Sequence, residues 1–325
     1  MKYLVTGITG FVGPHLTQLL LREGHEVHGI VRTANGRELD LLDMLTPIEL
    51  DLITFHYLDL KHFGSVDKLM NKEKFDGVFH LAAQSHPPTS FKNPTLTWDE
   101  NITCTVNIIT TLENLDTKMM FCSTSEVYGD TGKNVGTLSI DTPMQPNNPY
   151  GTSKAAMDLY MQERTKNGFL NGFVTRAFSH TGPRRGKIFS ISSDAYQIAL
   201  IEKGYQTSTL RVGNLKTERV VMDVRDTVRA YYLLMQNPKS NGKVFNVCGH
   251  DVHPMQYYTD LLIKHSKFDK IDQVIYKPFY RPIDIQIQIG DDKELRELTG
   301  WAPVINIEDT MLDLLNYWRK KINKN

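Results

Sequence analysis

The stretch Lys2-Tyr3-Leu4-Val5-Thr6-Gly7-Ile8-Thr9-Gly10-Phe11-Val12-Gly13 runs a short apolar strand directly into three glycines spaced GxxGxxG. Immediately after it, Pro14 to Glu23 carries leucines at 16, 19, 20 and 21, the spacing of a helix with one apolar face. Strand, glycine turn and helix together form a unit that lets backbone N–H groups approach a pyrophosphate at a helix N-terminus. A glycine triplet alone specifies little. Its place in the first strand–helix unit makes it a dinucleotide-binding signal.

Working outward, the alternation of strand and helix continues. Strands are expected at Val27–Val31, Ile53–Leu58, Gly77–Leu81, Lys118–Cys122 and Phe173–Arg176, with helices around Val66–Met70, over Asn101–Asn114 and over Tyr150–Thr165. Parallel strands joined by right-handed crossovers give a Rossmann-like, doubly wound α/β sheet. Beyond residue 176 the alternation breaks down, at Gly182-Pro-Arg-Arg-Gly186 and in the proline- and ring-rich segment Tyr276–Pro282. A smaller, mixed α/β substrate-binding lobe is expected there. Asp223–Gln236 and Lys243–Cys248 read as a helix and strand returning to the sheet, so the division is 1–176 with 214–247 against 177–213 with 248–325.

Composition narrows the function classes. In 325 residues, 37 lysines and arginines balance 37 aspartates and glutamates, which leaves no basic excess for nucleic acid or an anionic membrane. No apolar run reaches the roughly 18 residues of a membrane span, and the N-terminus has no signal-peptide core. Cys104, Cys122 and Cys248 read as reduced thiols, pointing to a cytoplasmic enzyme. No His/Cys/Asp cluster has metal-ligand spacing, so no metal is expected. His80 reads as a core histidine, His86 as a crevice-loop residue able to touch substrate, and Trp301 as a packing anchor of the small lobe.

Two polar motifs carry chemistry. Tyr150-Gly-Thr-Ser-Lys154 places a phenol and an ammonium on one helix face, where the cation is expected to lower the phenol's pKa towards neutrality. Ser123-Thr124-Ser125-Glu126 follows the fifth strand, at the carboxyl edge that lines the crevice of an open parallel sheet. Thr124 can bond a substrate hydroxyl beside Tyr150, and Glu126 supplies a carboxylate to the same pocket. Strand two ends in Arg32 with no carboxylate before Glu38, which suits a 2′-phosphate and so NADP, with Arg37 joining if the loop folds back.

Together these residues resemble the extended short-chain dehydrogenase/reductase family over nearly the whole chain. Within it, His28-Gly-Ile-Val-Arg32, Ala83-Gln-Ser-His86, Ser123-Thr-Ser-Glu126, Pro183-Arg-Arg-Gly186, Gly213-Asn-Leu215, Tyr280-Arg-Pro282 and Gly300-Trp-Ala-Pro303 are most similar to GDP-mannose 4,6-dehydratases. The resemblance implies a lyase that converts GDP-mannose, or a relative such as GDP-manno-heptose, to a 4-keto-6-deoxy sugar. Tyr150 would take the 4-hydroxyl proton as hydride passes to NADP, and Glu126 would remove the C5 proton. Water leaves from C6 and the hydride returns there. Thr124 would hold the 4-oxygen and Lys154 the ribose.

NADP would contact Gly7, Thr9, Gly10, Phe11, Val12, Gly13, Arg32, Asp59, Leu60, Leu81, Ala82 and Ala83, besides Tyr150 and Lys154. The resemblance further implies a diphosphate clamp of Arg219 and Arg281, with Ser85, Ser179 and Arg185 lining the crevice, and a homodimer or homotetramer. The chain departs from the dehydratase pattern at Phe11-Val12, at Ser179 and along Arg219–Asp226, the last being more similar to 4-keto-6-deoxymannose reductases. An NADP-dependent reductase or epimerase on a related nucleotide sugar is the alternative reading.

Overall fold

A computed structural model describes residues 1–113 and 115–323. Five early strands, β1 (Lys2–Thr6), β2 (Glu26–Val31), β3 (Ile53–Tyr57), β4 (Gly77–His80) and β5 (Lys118–Thr124), join Gly172–Ala177 and Val244–Val247 in one sheet. The order runs β3-β2-β1-β4-β5, then Gly172–Ala177 and Val244–Val247, and every pair is parallel. The order in which strands are added thus reverses between β1 and β4, where open α/β sheets bind ligands at the strand carboxyl ends.

Apolar side chains cover both sheet faces. Helix α1 (Val12–Arg22) and helix Val224–Gln236 contribute Leu16, Leu20, Val228, Tyr231 and Leu234 to one face, against Tyr3, Val5 and Phe79. Helices Phe63–Glu73, Cys104–Leu112 and Pro149–Lys166 cover the other with Val66, Met70, Ile108 and Met161, against Leu4, Val78 and Phe121. Each such buried side chain contributes about 1.5–3 kcal/mol. A third cluster, including Ile198, Tyr258, Leu262, Leu314 and Trp318, lies among helices Ser190–Glu202, Met255–Lys264 and Ile307–Ile322.

Four details differ from expectation. β5 runs two residues past Cys122, because Ser123 and Thr124 still pair with Arg176 and Ala177. The helix expected from Asn101 begins as a π-helical turn, Asp99–Thr103, and becomes α-helical over Cys104–Leu112; its expected end, Asn114, lies outside the described residues. Trp301 is a buried anchor, but for the large sheet: it belongs to the apolar cluster on the face covered by α1, and its indole Nε1 donates to the Asp226 carbonyl at 3.0 Å. Within 214–247, Glu218–Val220 belongs to a separate mixed sheet, pairing with Val252–Pro254 and Ile287–Gly290; helix Val224–Gln236 and strand Val244–Val247 belong to the large unit. Tyr276–Pro282 holds only a short 3-10 turn, Lys277–Phe279.

Candidate active site

The first turn is built around glycines that nothing larger could replace. Gly7 has φ +68°, and a Cβ there would lie 2.9 Å from the Ala82 nitrogen; one on Gly13 would lie 2.4 Å from the Ile8 carbonyl oxygen. Residue Phe11 precedes α1 without any side-chain cap, so the amides of the helix start are free for an anion. Ala82, after β4, is tied back by its N–H to Thr6 Oγ1 at 3.1 Å. Gly7, Thr9, Gly10, Phe11, Val12, Gly13, Leu81, Ala82 and Ala83 therefore lie along the carboxyl edge of β1 and β4. These residues fit a dinucleotide pyrophosphate.

At the end of β2, Arg32 has a carboxylate partner. Its two terminal nitrogens fork onto both oxygens of Glu100, with Nη1–Oε1 at 3.1 Å. Lys61 joins the group, 2.9 Å from Asp99 and 3.7 Å from Glu100. Asp59 accepts from the Lys61 amide at 2.9 Å, and Leu60 is buried beside it. Arg37 is exposed and makes no ion pair among the described residues.

The polar centre forms where β5 meets helix Pro149–Lys166. Asn148 caps that helix, its Oδ1 accepting from Gly151 N at 2.8 Å, with Pro149 in the first helical position. This fixes Tyr150 in the first turn, buried beside the Thr124 hydroxyl. Burial dominates the phenol and pushes its pKa up; the Thr124 hydroxyl and the Arg185 guanidinium pull it down, while Cys122 and Glu126 push it further up. Lys154, one turn on, is not the cation that acts. Its ammonium donates to the Cys122 carbonyl at 2.6 Å and lies 4.8 Å from the Phe121 ring centre, and burial lowers its pKa. The sequence expectation of a phenol lowered by Lys154 is thus corrected, because desolvation outweighs the nearby charge.

Glu126 faces the same pocket, its carboxylate held from two sides. Oε1 accepts from Arg281 Nη1 at 3.0 Å and Oε2 from Asn148 Nδ2 at 2.7 Å. Arg281 therefore meets the carboxylate expected to act as base. Arg219 is committed otherwise: its guanidinium donates to the carbonyls of Glu218, Gln286 and Ile285 at 2.8, 3.3 and 2.5 Å. It stitches the lobe sheet together in this conformation, and burial lowers its pKa.

Arg185 lies 3.5 Å from the Phe189 ring centre and 4.8 Å from that of Phe11, and burial lowers its pKa to about 10. Ser179 offers its carbonyl to Met222 N at 3.1 Å, and Ser85 is exposed; among the described residues, neither hydroxyl bonds to the cluster. His86 bonds Thr89 Oγ1 at 2.8 Å, and burial lowers its pKa to about 4, Arg281 and Arg185 adding to the effect. His80 is a core histidine, bridging Thr6 and Thr105 at 2.8 and 2.9 Å.

Two residues of the site escape the motif reading. Asn148 could have been found from its place before Pro149 at a helix start. Asn101 had no local signal; it bonds Gln84 and Ser153, linking the loop after β4 to the helix that carries Tyr150.

The sequence pattern of the family described as GDP-mannose 4,6 dehydratase matches residues 4–314. The chain belongs to this family. GDP-mannose 4,6 dehydratase 1 of Arabidopsis thaliana is 31% identical over 319 residues, covering 94% of this chain and 86% of that protein. The GDP-6-deoxy-D-mannose reductase of Pseudomonas aeruginosa is 29% identical over 327 residues, 99% of either chain. Among solved structures, RMD from Pseudomonas aeruginosa complexed with NADPH superposes with a TM-score of 0.82 at 26% identity, over 99% of this chain and 100% of that one. A Thermotoga maritima UDP-glucose 4-epimerase, at 23% identity and a TM-score of 0.86 over 99% and 100%, shares the fold. The chain is thus an enzyme of the short-chain dehydrogenase/reductase type. Among the described residues, no helix is long and apolar enough to cross a membrane.

Proposed function

We propose that this member of the family is a GDP-sugar 4,6-dehydratase, acting on GDP-mannose or a close relative such as GDP-manno-heptose. The observation that carries the reading is the convergence of Tyr150, Thr124 and Glu126 on one pocket, with the carboxylate held by Arg281 and Asn148. Oxidation at C4 alone needs only the first two; a third, anchored carboxylate suits an elimination.

Held along residues 7–13 and 81–83, NADP would supply the acceptor for the C4 hydride and its return to C6. The chain's own groups handle the protons. Thr124 orients the 4-oxygen, and Tyr150 takes the 4-hydroxyl proton as its phenolate, the form that burial of the phenol opposes and the Arg185 guanidinium favours. The resulting ketone acidifies the C5 proton, which Glu126 removes and passes to the departing C6 hydroxyl so that water leaves; a solvent proton at C5 then completes the 4-keto-6-deoxy sugar.

A second reading, reduction of a 4-keto-6-deoxy GDP-sugar, is favoured by the reductase relative that matches end to end. One experiment separates them. GDP-mannose deuterated at C4 is incubated with the enzyme and no added NADPH, and the product is read by mass spectrometry and NMR. A 4-keto-6-deoxy product carrying the label at C6 supports the dehydratase. No turnover, together with NADPH-dependent consumption of the 4-keto sugar, would replace it with the reductase.

A further inference from the structure

The loop at residues 182–186 turns back over the glycine-rich turn and grips it at three points. His15 Nε2 bonds the Pro183 carbonyl at 2.9 Å, and Arg185 stacks on Phe11. Arg184 reaches furthest: Nε donates to the Gly10 carbonyl at 3.1 Å and Nη2 to that of Thr9 at 3.0 Å. Its third nitrogen, Nη1, donates to the Asp40 carbonyl and lies 3.4 Å from the Asp43 carboxylate. Asp43 in turn accepts from Tyr317 at 3.2 Å and pairs with Lys321, both on the C-terminal helix. To make these contacts Arg184 adopts φ +74°, the left-handed region that favours glycine. Such a conformation persists in a long L side chain only where surrounding contacts enforce it.

We propose that Arg184 is a positioning residue for the cofactor pyrophosphate. In a trans peptide the C=O and the following N–H point in opposite directions. Holding the Gly10 carbonyl on the guanidinium therefore aims the Phe11 N–H the other way, into the uncapped start of α1. The adjoining peptide is fixed from both ends: the Thr9 oxygen is on Arg184, and the Gly10 N–H bonds the Gly7 carbonyl at 2.9 Å. Two carbonyl dipoles that would repel a diphosphate are thus neutralised and turned outward. Asp43 anchors the same guanidinium to the C-terminal helix, so the phosphate turn is braced from outside the first strand–helix unit.

The test uses the purified holoenzyme and two variants, Arg184→Gly and Arg184→Lys. Glycine accepts the left-handed backbone without strain, so a residue that merely shaped the turn would lose nothing. The readouts are the off-rate of bound NADP and equilibrium titration with NADP and with adenosine 2′-monophosphate, which lacks a pyrophosphate. The expected result is NADP binding weakened about 10-fold or more in Arg184→Gly, a smaller loss in Arg184→Lys, and unchanged adenosine 2′-monophosphate binding. NADP affinity within twofold of the parent enzyme in either variant that folds would overturn the proposal. So would an equal loss for both ligands. None of these measurements involves the sugar, so they stand or fall apart from the dehydratase reading.

Discussion

Arg281 and Glu126, 155 positions apart in sequence, meet in an ion pair of 3.0 Å between the lobe and the end of β5. The contact changes what the arginine is expected to do. A group that only clamped a diphosphate would affect binding. One that also holds the carboxylate used for elimination affects turnover as well.

Arg281→Ala is therefore expected to lower kcat by about 10-fold or more besides raising KM, with Arg281→Lys recovering part of both. Steady-state kinetics on GDP-mannose decides it. A raised KM with unchanged kcat would return Arg281 to a clamp alone.

Asn148 does two jobs with one amide, capping the helix with Oδ1 and holding Glu126 with Nδ2. Ser can replace the cap acceptor but has no N–H to reach the carboxylate. Asn148→Ser should keep its melting temperature within a few degrees and lose turnover, whereas Asn148→Ala should also lose about 1 kcal/mol of stability. Thermal melts beside kcat separate the two; equal turnover in Asn148→Ser and parent would show that the Glu126 contact is idle.

Glu100 forks onto Arg32 at the strand end where a 2′-phosphate is read. A carboxylate on that guanidinium competes with the phosphate for the same donors. Glu100→Gln should tighten NADP several-fold while leaving NAD unchanged, and Arg32→Ala should weaken NADP about 10-fold. Fluorescence titration with both dinucleotides tests this. Unaltered discrimination in both variants would move the 2′-phosphate away from Arg32.

Asp194 is a buried carboxyl whose one side-chain partner among the described residues is Thr259 Oγ1 at 2.8 Å, and burial raises its pKa from 3.8 to about 7. The folded chain then holds a proton that the unfolded chain releases nearer 3.8. Between those values stability falls as pH rises, and above about 7 the loss is complete. Asp194→Asn should raise the melting temperature at pH 8 relative to parent and leave pH 4 nearly unchanged. The same difference at both pH values would show that the carboxyl's charge is not what matters.

The sequence by itself determined the parallel sheet and the glycine turn, and singled out Thr124, Glu126, Tyr150 and Lys154 as candidates. These are written in short-range patterns: strand and helix periodicity, three glycines between a strand and a helix, a tyrosine and lysine one helical turn apart. What each charge does was decided by tertiary structure. Lys154 is drawn onto the Cys122 carbonyl, Arg219 onto three carbonyls of its lobe, Arg281 onto Glu126 and Arg32 onto Glu100. Each of these partners lies far from its cation in sequence or is a backbone atom without a residue signature. Burial, which the fold alone sets, then decides which way the phenol of Tyr150 shifts.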